Sequence, residues 1–455
     1  MSVHGYCPVW EGSLEDGIRL SAAAPARLPW PVRALNAAGA AVRALGVPLL
    51  PIDGSELAAR ARKATGLEDF GDPFFREGLE RVTASLEGEA RLSSLGRSVA
   101  RSDLQRILEN RLRVTDVLLR HPEIETERIE APIFIVGAPR TGTSILHELL
   151  AQDPRLRVPR TWEVMYPWPP PETRSYETDP RIARVERHFS GVDRLLPTFK
   201  RMHPMGARLP QECAVLTAHE CATMVWHTQF DVPSYQAWFE TADHRRVYQG
   251  HRRLLQYLQW QCPGSPWVLK SPQHLWTLDA LFEVYPDARV VQTHRDPLKI
   301  VASLTSLCAT LRSMTSDAVD PRAIGADWSR RLATGLRHTM GVREGGIPAA
   351  QVYDLSFQEF MKDEIASVVG LYAHFGMMLS AEAEARMRAF LAKNPRARHG
   401  RHRYGLEEAG LDETSERRRF AAYQERYAVP CESVRPGRGR SPRSRRSVTA
   451  ARRGA

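Results

Sequence analysis

The stretch from Pro132 to Gln152 constrains the fold of this chain more than any other. The apolar run Ile133, Phe134, Ile135, Val136 is followed at once by Gly137, Ala138, Pro139, Arg140, Thr141, Gly142, Thr143 and Ser144, and then by Ile145, Leu149 and Leu150 at helical spacing. A strand that ends in a glycine-bearing turn and feeds a helix opens an α/β unit. The helix is expected from about Thr143 to Gln152, where Asp153 and Pro154 stop it. Gly137 and Gly142 have the spacing of a P-loop, except that Thr143 stands where the lysine belongs. The glycines let backbone N–H groups turn inward and the helix N-terminus adds its positive dipole end, which together suit an anion. The cation is Arg140, inside the loop, and this suits one phosphate bearing a transferable group better than a triphosphate.

A second unit follows: a short strand at 267–269, a helix from Gln273 to Val284 and a strand from Ala288 to Thr293, with Asp296 and Pro297 placed to cap and start another helix. Strands alternating with helices predict an α/β fold, a mostly parallel central sheet flanked by helices. Ligands of such sheets bind at the carboxyl ends of strands, so the loop, Lys270 and Arg295 point to one crevice. Arg295 and Ser303 are eight apart and return to one broad helix face, where an arginine and a hydroxyl can grip a phosphate.

Three further regions complete the chain. Residues 1–128 read as a helical N-terminal region, with Leu104, Ile107, Leu108, Leu112, Leu118 and Leu119 on one face and Ser102 or Asp103 as cap, serving as scaffold or as a surface for a second copy. The main domain is expected over 129–430, with an aromatic- and proline-rich insertion at about 155–262. Residues 431–455 form an arginine-rich tail with too little apolar surface to offset the entropy of ordering, and it is expected to be disordered. From Pro430 onward there are eight arginines and one glutamate, so the tail carries +7 of the net +10 and the body is nearly balanced. Nucleic acid is therefore not expected as a partner. The six cysteines form no C-x-x-C pair, and no leader or stretch of ~18 apolar residues stands out. A soluble protein of the reducing cytoplasm is expected.

With these residues in view, the chain resembles the sulfotransferases that use 3′-phosphoadenosine 5′-phosphosulfate (PAPS), especially the bacterial and actinobacterial-type branch whose loop reads G-x-P-R-[ST]-G-[ST]. The similarity covers about residues 130 to 427. It implies a P-loop sulfotransferase-like fold and PAPS as donor, leaving as adenosine 3′,5′-bisphosphate, with no metal. It implies that Gly137 to Ser144 hold the 5′-phosphosulfate, that Arg295 and Ser303 hold the 3′-phosphate and that Lys270 serves the transition state. Phe357 falls on the strand whose aromatic residue contacts adenine, although core packing explains it equally. The segment Arg401 to Gly405 is loosely similar to the family's basic loop over the 3′-phosphate.

The resemblance implies a transferase that moves a sulfuryl group to an acceptor hydroxyl or amine. Arg140, Lys270 and the loop amides would neutralise charge on the leaving oxygen. The small-molecule members carry a histidine two residues after the lysine, and Pro272 stands there, so another base is needed. Glu163 is favoured because similar members with K-[SD]-P use a glutamate soon after the loop helix; His274 is the alternative. A small-molecule, lipid or glycan acceptor is expected beneath Phe199, Trp226, Phe230, Tyr235, Trp238, Phe239, Tyr257 and Trp260, unless these are core. Two rival readings are a P-loop kinase, which lacks its lysine here, and a nucleic-acid binder acting through the tail.

Overall fold

The computed structural model describes residues 28–195, 205–264, 266–394 and 406–432. Four helices come first: α1 Trp30–Ala44, α2 Gly54–Thr65, α3 Phe75–Gly88 and α4 Ser94–Arg120. Asp53 caps α2 by accepting from Glu56 N, and Ser93 caps α4 by accepting from Gly96 N. The expected cap at Ser102 or Asp103 is corrected by the structure, since α4 starts two turns earlier and both residues lie within it.

One four-stranded sheet follows, in the order β2-β1-β3-β4, made of β1 Ile133–Val136, β2 Val268–Lys270, β3 Arg289–His294 and β4 Val352–Ser356. Every adjacent pair is parallel, which helical crossovers between strands require. Ile135 of β1 registers with Lys270 on one side and Val291 on the other, so Lys270 leaves the sheet beside the phosphate loop.

Residues of β1 alternate between two cores. Ile133 and Ile135 pack with Val268, Val291 and Leu355, beneath Leu146, Leu149 and Leu150 of α5 Thr143–Leu150. Phe134 and Val136 face the larger core with Leu104, Ile107 and Leu108 of α4. Both faces are covered, which is why β1 reads as an unbroken apolar run. Fully burying each such side chain contributes about 1.5–3 kcal/mol, and the two cores clamp the strand that carries the loop.

Two local expectations are corrected. The helix read from Gln273 to Val284 is a 3₁₀ turn, Pro272–Trp276, and then a helix, Leu278–Val284, broken at Thr277. The Tyr248 hydroxyl bonds both His274 Nδ1 (2.6 Å) and Thr277 Oγ1 (2.8 Å) across that break. The aromatic residues assigned to acceptor walls are core instead: Trp226, Phe230, Tyr235, Phe239 and Tyr257 are buried in the larger core, with Trp238 and Trp260 packed against it. Phe199, Arg401 and residues 433–455 lie outside the described residues.

Candidate active site

The phosphate loop is held by steric demands that explain its glycines. A Cβ at Gly137 would lie 2.0 Å from Thr293 Oγ1 at the end of β3. That hydroxyl is 2.6 Å from Thr141 Oγ1, which donates to Ala138 O at 2.7 Å, so the loop is stitched to itself and to the sheet. Gly142 has φ 87° and Arg140 φ 73°. The second is uncommon for a residue with a side chain, and here the Arg140 carbonyl is fixed by accepting from Arg295 Nη1 at 2.6 Å. Pro139 and Ser144 are half-buried, while Thr141 and Thr143 are buried. The α5 N-terminus follows directly, so its unpaired amides and dipole face the same place.

Lys270 reaches this loop from the next strand. Its Nζ is 3.4 Å from Ser144 Oγ and forms a short ion pair with Glu212 Oε1. The ammonium side chain is only 4% exposed, against 24% for Glu212, so the pair stands at the inner wall of an opening. Ser144, His147, Glu148, Glu212 and Lys270 line a small cavity here. Burial pushes the Glu148 carboxyl up, opposed by Lys270. Burial, aided by Lys270, pushes His147 down to about 3, and its Nε2 is 3.0 Å from Val268 O. Glu212 is delivered by the strap 209–212, where Arg160 pairs antiparallel with Pro210 and Gln211 N donates to Pro159 O. Sequence reasoning missed Glu212, since no motif marks it.

Glu163 is corrected as the favoured base. It is 0% exposed, and its carboxylate accepts from Arg157 Nη2 (3.1 Å), Arg160 N (2.9 Å) and the Tyr176 hydroxyl (2.9 Å). All three partners come from one stretch of chain, residues 157–176. His274 is likewise unsuited. It is fully buried, edge-on to Phe134, and burial holds it well below its ordinary pKa, with His251 and Lys270 adding to the shift.

Arg295 forms a second corner. Its guanidinium lies 4.0 Å from the Phe357 ring centroid, and Phe357 in turn borders Gly142. Glu432 grips Arg295 Nε and Nη2 at 2.9 and 3.1 Å. The Glu432 backbone is anchored too, its N–H donating to Asp296 at 2.6 Å and its carbonyl accepting from Arg417 at 3.2 Å. Asp296 caps the helix Pro297–Thr315 as expected, with Leu298 N donating at 3.0 Å. Ser303 is buried two turns along that helix. Lys299, one turn before it, has Glu432, Arg295 and Asp296 as electrostatic neighbours, though burial is what chiefly lowers its pKa. The structure therefore brings together the loop, Lys270, Arg295 and Phe357, and adds Glu212, Lys299 and Glu432.

A parallel sheet whose strand ends carry a glycine-turned anion loop and two flanking cations defines a nucleotide-handling enzyme fold of the P-loop type. Comparison with known proteins carries this further. The model of the sulfotransferase family matches residues 132–381, and the chain belongs to that family. It is similar to omega-hydroxy-beta-dihydromenaquinone-9 sulfotransferase Stf3 of Mycobacterium bovis, 25% identical over 272 residues that make up 56% of this chain and 64% of the relative. The match thus spans under two thirds of that relative's length. The crystal structure of sulfotransferase STF1 from Mycobacterium tuberculosis superposes with a TM-score of 0.74 at 33% identity, over 82% of this chain and 100% of that one. That of sulfotransferase STF9 from Mycobacterium avium gives 0.77 at 28%, over 83% and 97%.

Among the described residues no three His, Cys, Asp or Glu side chains gather as a metal site, and no helix is long and apolar enough to cross a membrane.

Proposed function

We propose that this protein transfers the sulfuryl group of PAPS to the hydroxyl of an apolar, lipid-like acceptor. The observation that carries it is the meeting of Lys270 with both Ser144 of the phosphate loop and the carboxylate of Glu212. The loop from Gly137 to Ser144 would hold the 5′-phosphosulfate, and Arg295 with Lys299 and Ser303 the 3′-phosphate, with Phe357 against the base. The acceptor class follows the hydroxylated menaquinone in the printed name of the Mycobacterium bovis relative.

In the reaction the bond from sulfur to the 5′-phosphate oxygen breaks, that oxygen keeping the electron pair, while a bond from sulfur to the acceptor oxygen forms. Lys270 and the α5 amides stabilise the departing oxygen. Glu212 takes the acceptor's proton. In-line positioning carries the rest of the barrier, by analogy with phosphoryl transfer. The five free thiols among the described residues suit a reducing cytoplasm.

The test is a thermal-shift comparison of adenosine 3′,5′-bisphosphate without metal against ATP with Mg²⁺. The bisphosphate should stabilise the fold by about 2.7 kcal/mol at a hundredfold excess over its Kd. Stabilisation by ATP and Mg²⁺ alone would favour a kinase.

A further inference from the structure

The N-terminal layer carries a surface that sulfuryl transfer does not use. Of the nine large apolar side chains that are exposed among the described residues, five fall in α1 and the turn after it: Trp30, Leu35, Leu45, Val47 and Leu50. The helix buries only Asn36 and Gly39. Asn36 Oδ1 accepts from Leu95 N at 3.0 Å, and Gly39 approaches so closely that a Cβ would lie 1.8 Å from Ser94 Oγ. α1 is thus fastened to α4 by a polar and a minimal residue while its apolar residues face outward, the reverse of a helix that packs on a core. An apolar patch of this kind on an enzyme surface marks an interaction site.

The charges nearby say what it meets. Between Leu28 and Asp53 the sequence has no acidic residue but has Arg33 and Arg43. Leu50 also borders a cavity of about 450 Å³ whose lining contains Arg60, Arg101, Arg106, Arg113 and Arg184. Glu56 pairs with Arg60 and Arg101, Asp103 with Arg106 and Glu109 with Arg113, so five guanidinium groups meet three carboxylates and an excess of positive charge remains. Arg113 lies over Trp168 at 5.1 Å and Arg184 over Tyr166 at 3.8 Å, and Trp168 is itself exposed. A basic basin therefore sits with exposed apolar side chains at either margin.

We infer that this face docks on a bilayer containing anionic phospholipid, with α1 and Trp168 in the boundary between headgroups and acyl chains and the arginine basin on lipid phosphates. Tryptophan and leucine beside an excess of arginine are the chemistry of that boundary. A second copy is a poorer occupant, because a twofold contact through the same patch would bring basin against basin. The inference does not depend on the acceptor.

The test is co-sedimentation of the full chain with vesicles of phosphatidylcholine alone and of phosphatidylcholine with phosphatidylglycerol. Wild type should pellet with the anionic vesicles. The Trp30→Ser/Leu45→Ser double variant should bind them at least about tenfold more weakly, the change expected when two apolar anchors are lost. Arg113→Ala/Arg184→Ala should reduce binding to anionic vesicles only. Both pairs keep the basic tail, so undiminished binding by both would assign it to the tail and overturn the inference. Failure of wild type to bind would overturn it as well, and so would a wild-type dimer in sedimentation velocity that the Trp30→Ser/Leu45→Ser variant splits into monomers. Unchanged melting temperatures of the variants in the absence of vesicles exclude misfolding.

Discussion

Glu212, the proposed base, is partly exposed while Glu163 is fully buried, and single substitutions separate their proposed roles. Glu212→Gln removes the proton acceptor while keeping the shape, so turnover should fall by about 10²- to 10⁴-fold with bisphosphate affinity little changed. Glu163→Gln breaks a fully buried ion pair with Arg157, and its loss should register chiefly as instability, about 3–5 kcal/mol on the scale of such pairs. Turnover at saturating PAPS and urea unfolding on both variants check this; an active Glu212→Gln would remove it as the base. Arg295→Ala should weaken adenosine 3′,5′-bisphosphate by about 1.5–3 kcal/mol and leave adenosine 5′-phosphosulfate, which lacks the 3′-phosphate, nearly unaffected. Equal losses in titrations of the two nucleotides would contradict the assignment of Arg295.

At the scale of elements, the contact between β1, its loop and β3 sets the site. Gly137→Ala would force a methyl into the space of Thr293 Oγ1, so the loop must leave the β3 end and nucleotide stabilisation should disappear while the helical N-terminal layer stays folded. Thermal shift with bisphosphate, alongside circular dichroism, reads both effects. This element was legible in the sequence because strand, glycine spacing and helix are contiguous, and the positions of Lys270 and Arg295 at the ends of the two strands that flank β1 follow from a parallel sheet. Glu212 was not legible. Its place depends on the pairing of Arg160 with Pro210 across about fifty residues, and no local pattern encodes such a pairing. The aromatic insertion misled for a related reason: composition shows that Tyr235 and Tyr257 are amphipathic, but not that the Tyr235 hydroxyl is satisfied inside the core by the carbonyls of Cys221 and Thr223.

The whole molecule is expected to be acid-labile. Burial pushes His147, His219 and His251 down to about 3 and His227 to about 4. These rings stay neutral in the folded chain, while the unfolded chain protonates them near ~6.5. Between those values the unfolded state binds more protons, so stability rises with pH and drains away on acidification from about pH 6.5 downward. Each such histidine costs up to about 1.4 kcal/mol per pH unit in that window. Urea midpoints that do not fall between about pH 7.5 and about pH 5.5 would refute this. The clasp between Glu432 and Arg295 bears on how any truncated form will behave. The carboxylate holds the guanidinium proposed for the 3′-phosphate and would compete with that phosphate for it, and the arginine-rich tail begins at the very next residues. A chain cut before Glu432 should therefore bind bisphosphate more tightly than the intact one, and Glu432→Gln should reproduce the gain in a calorimetric titration. Affinities measured on trimmed protein would then overstate those of the natural enzyme, and product release, eased by a carboxylate waiting to reclaim its partner, would look slower than it is.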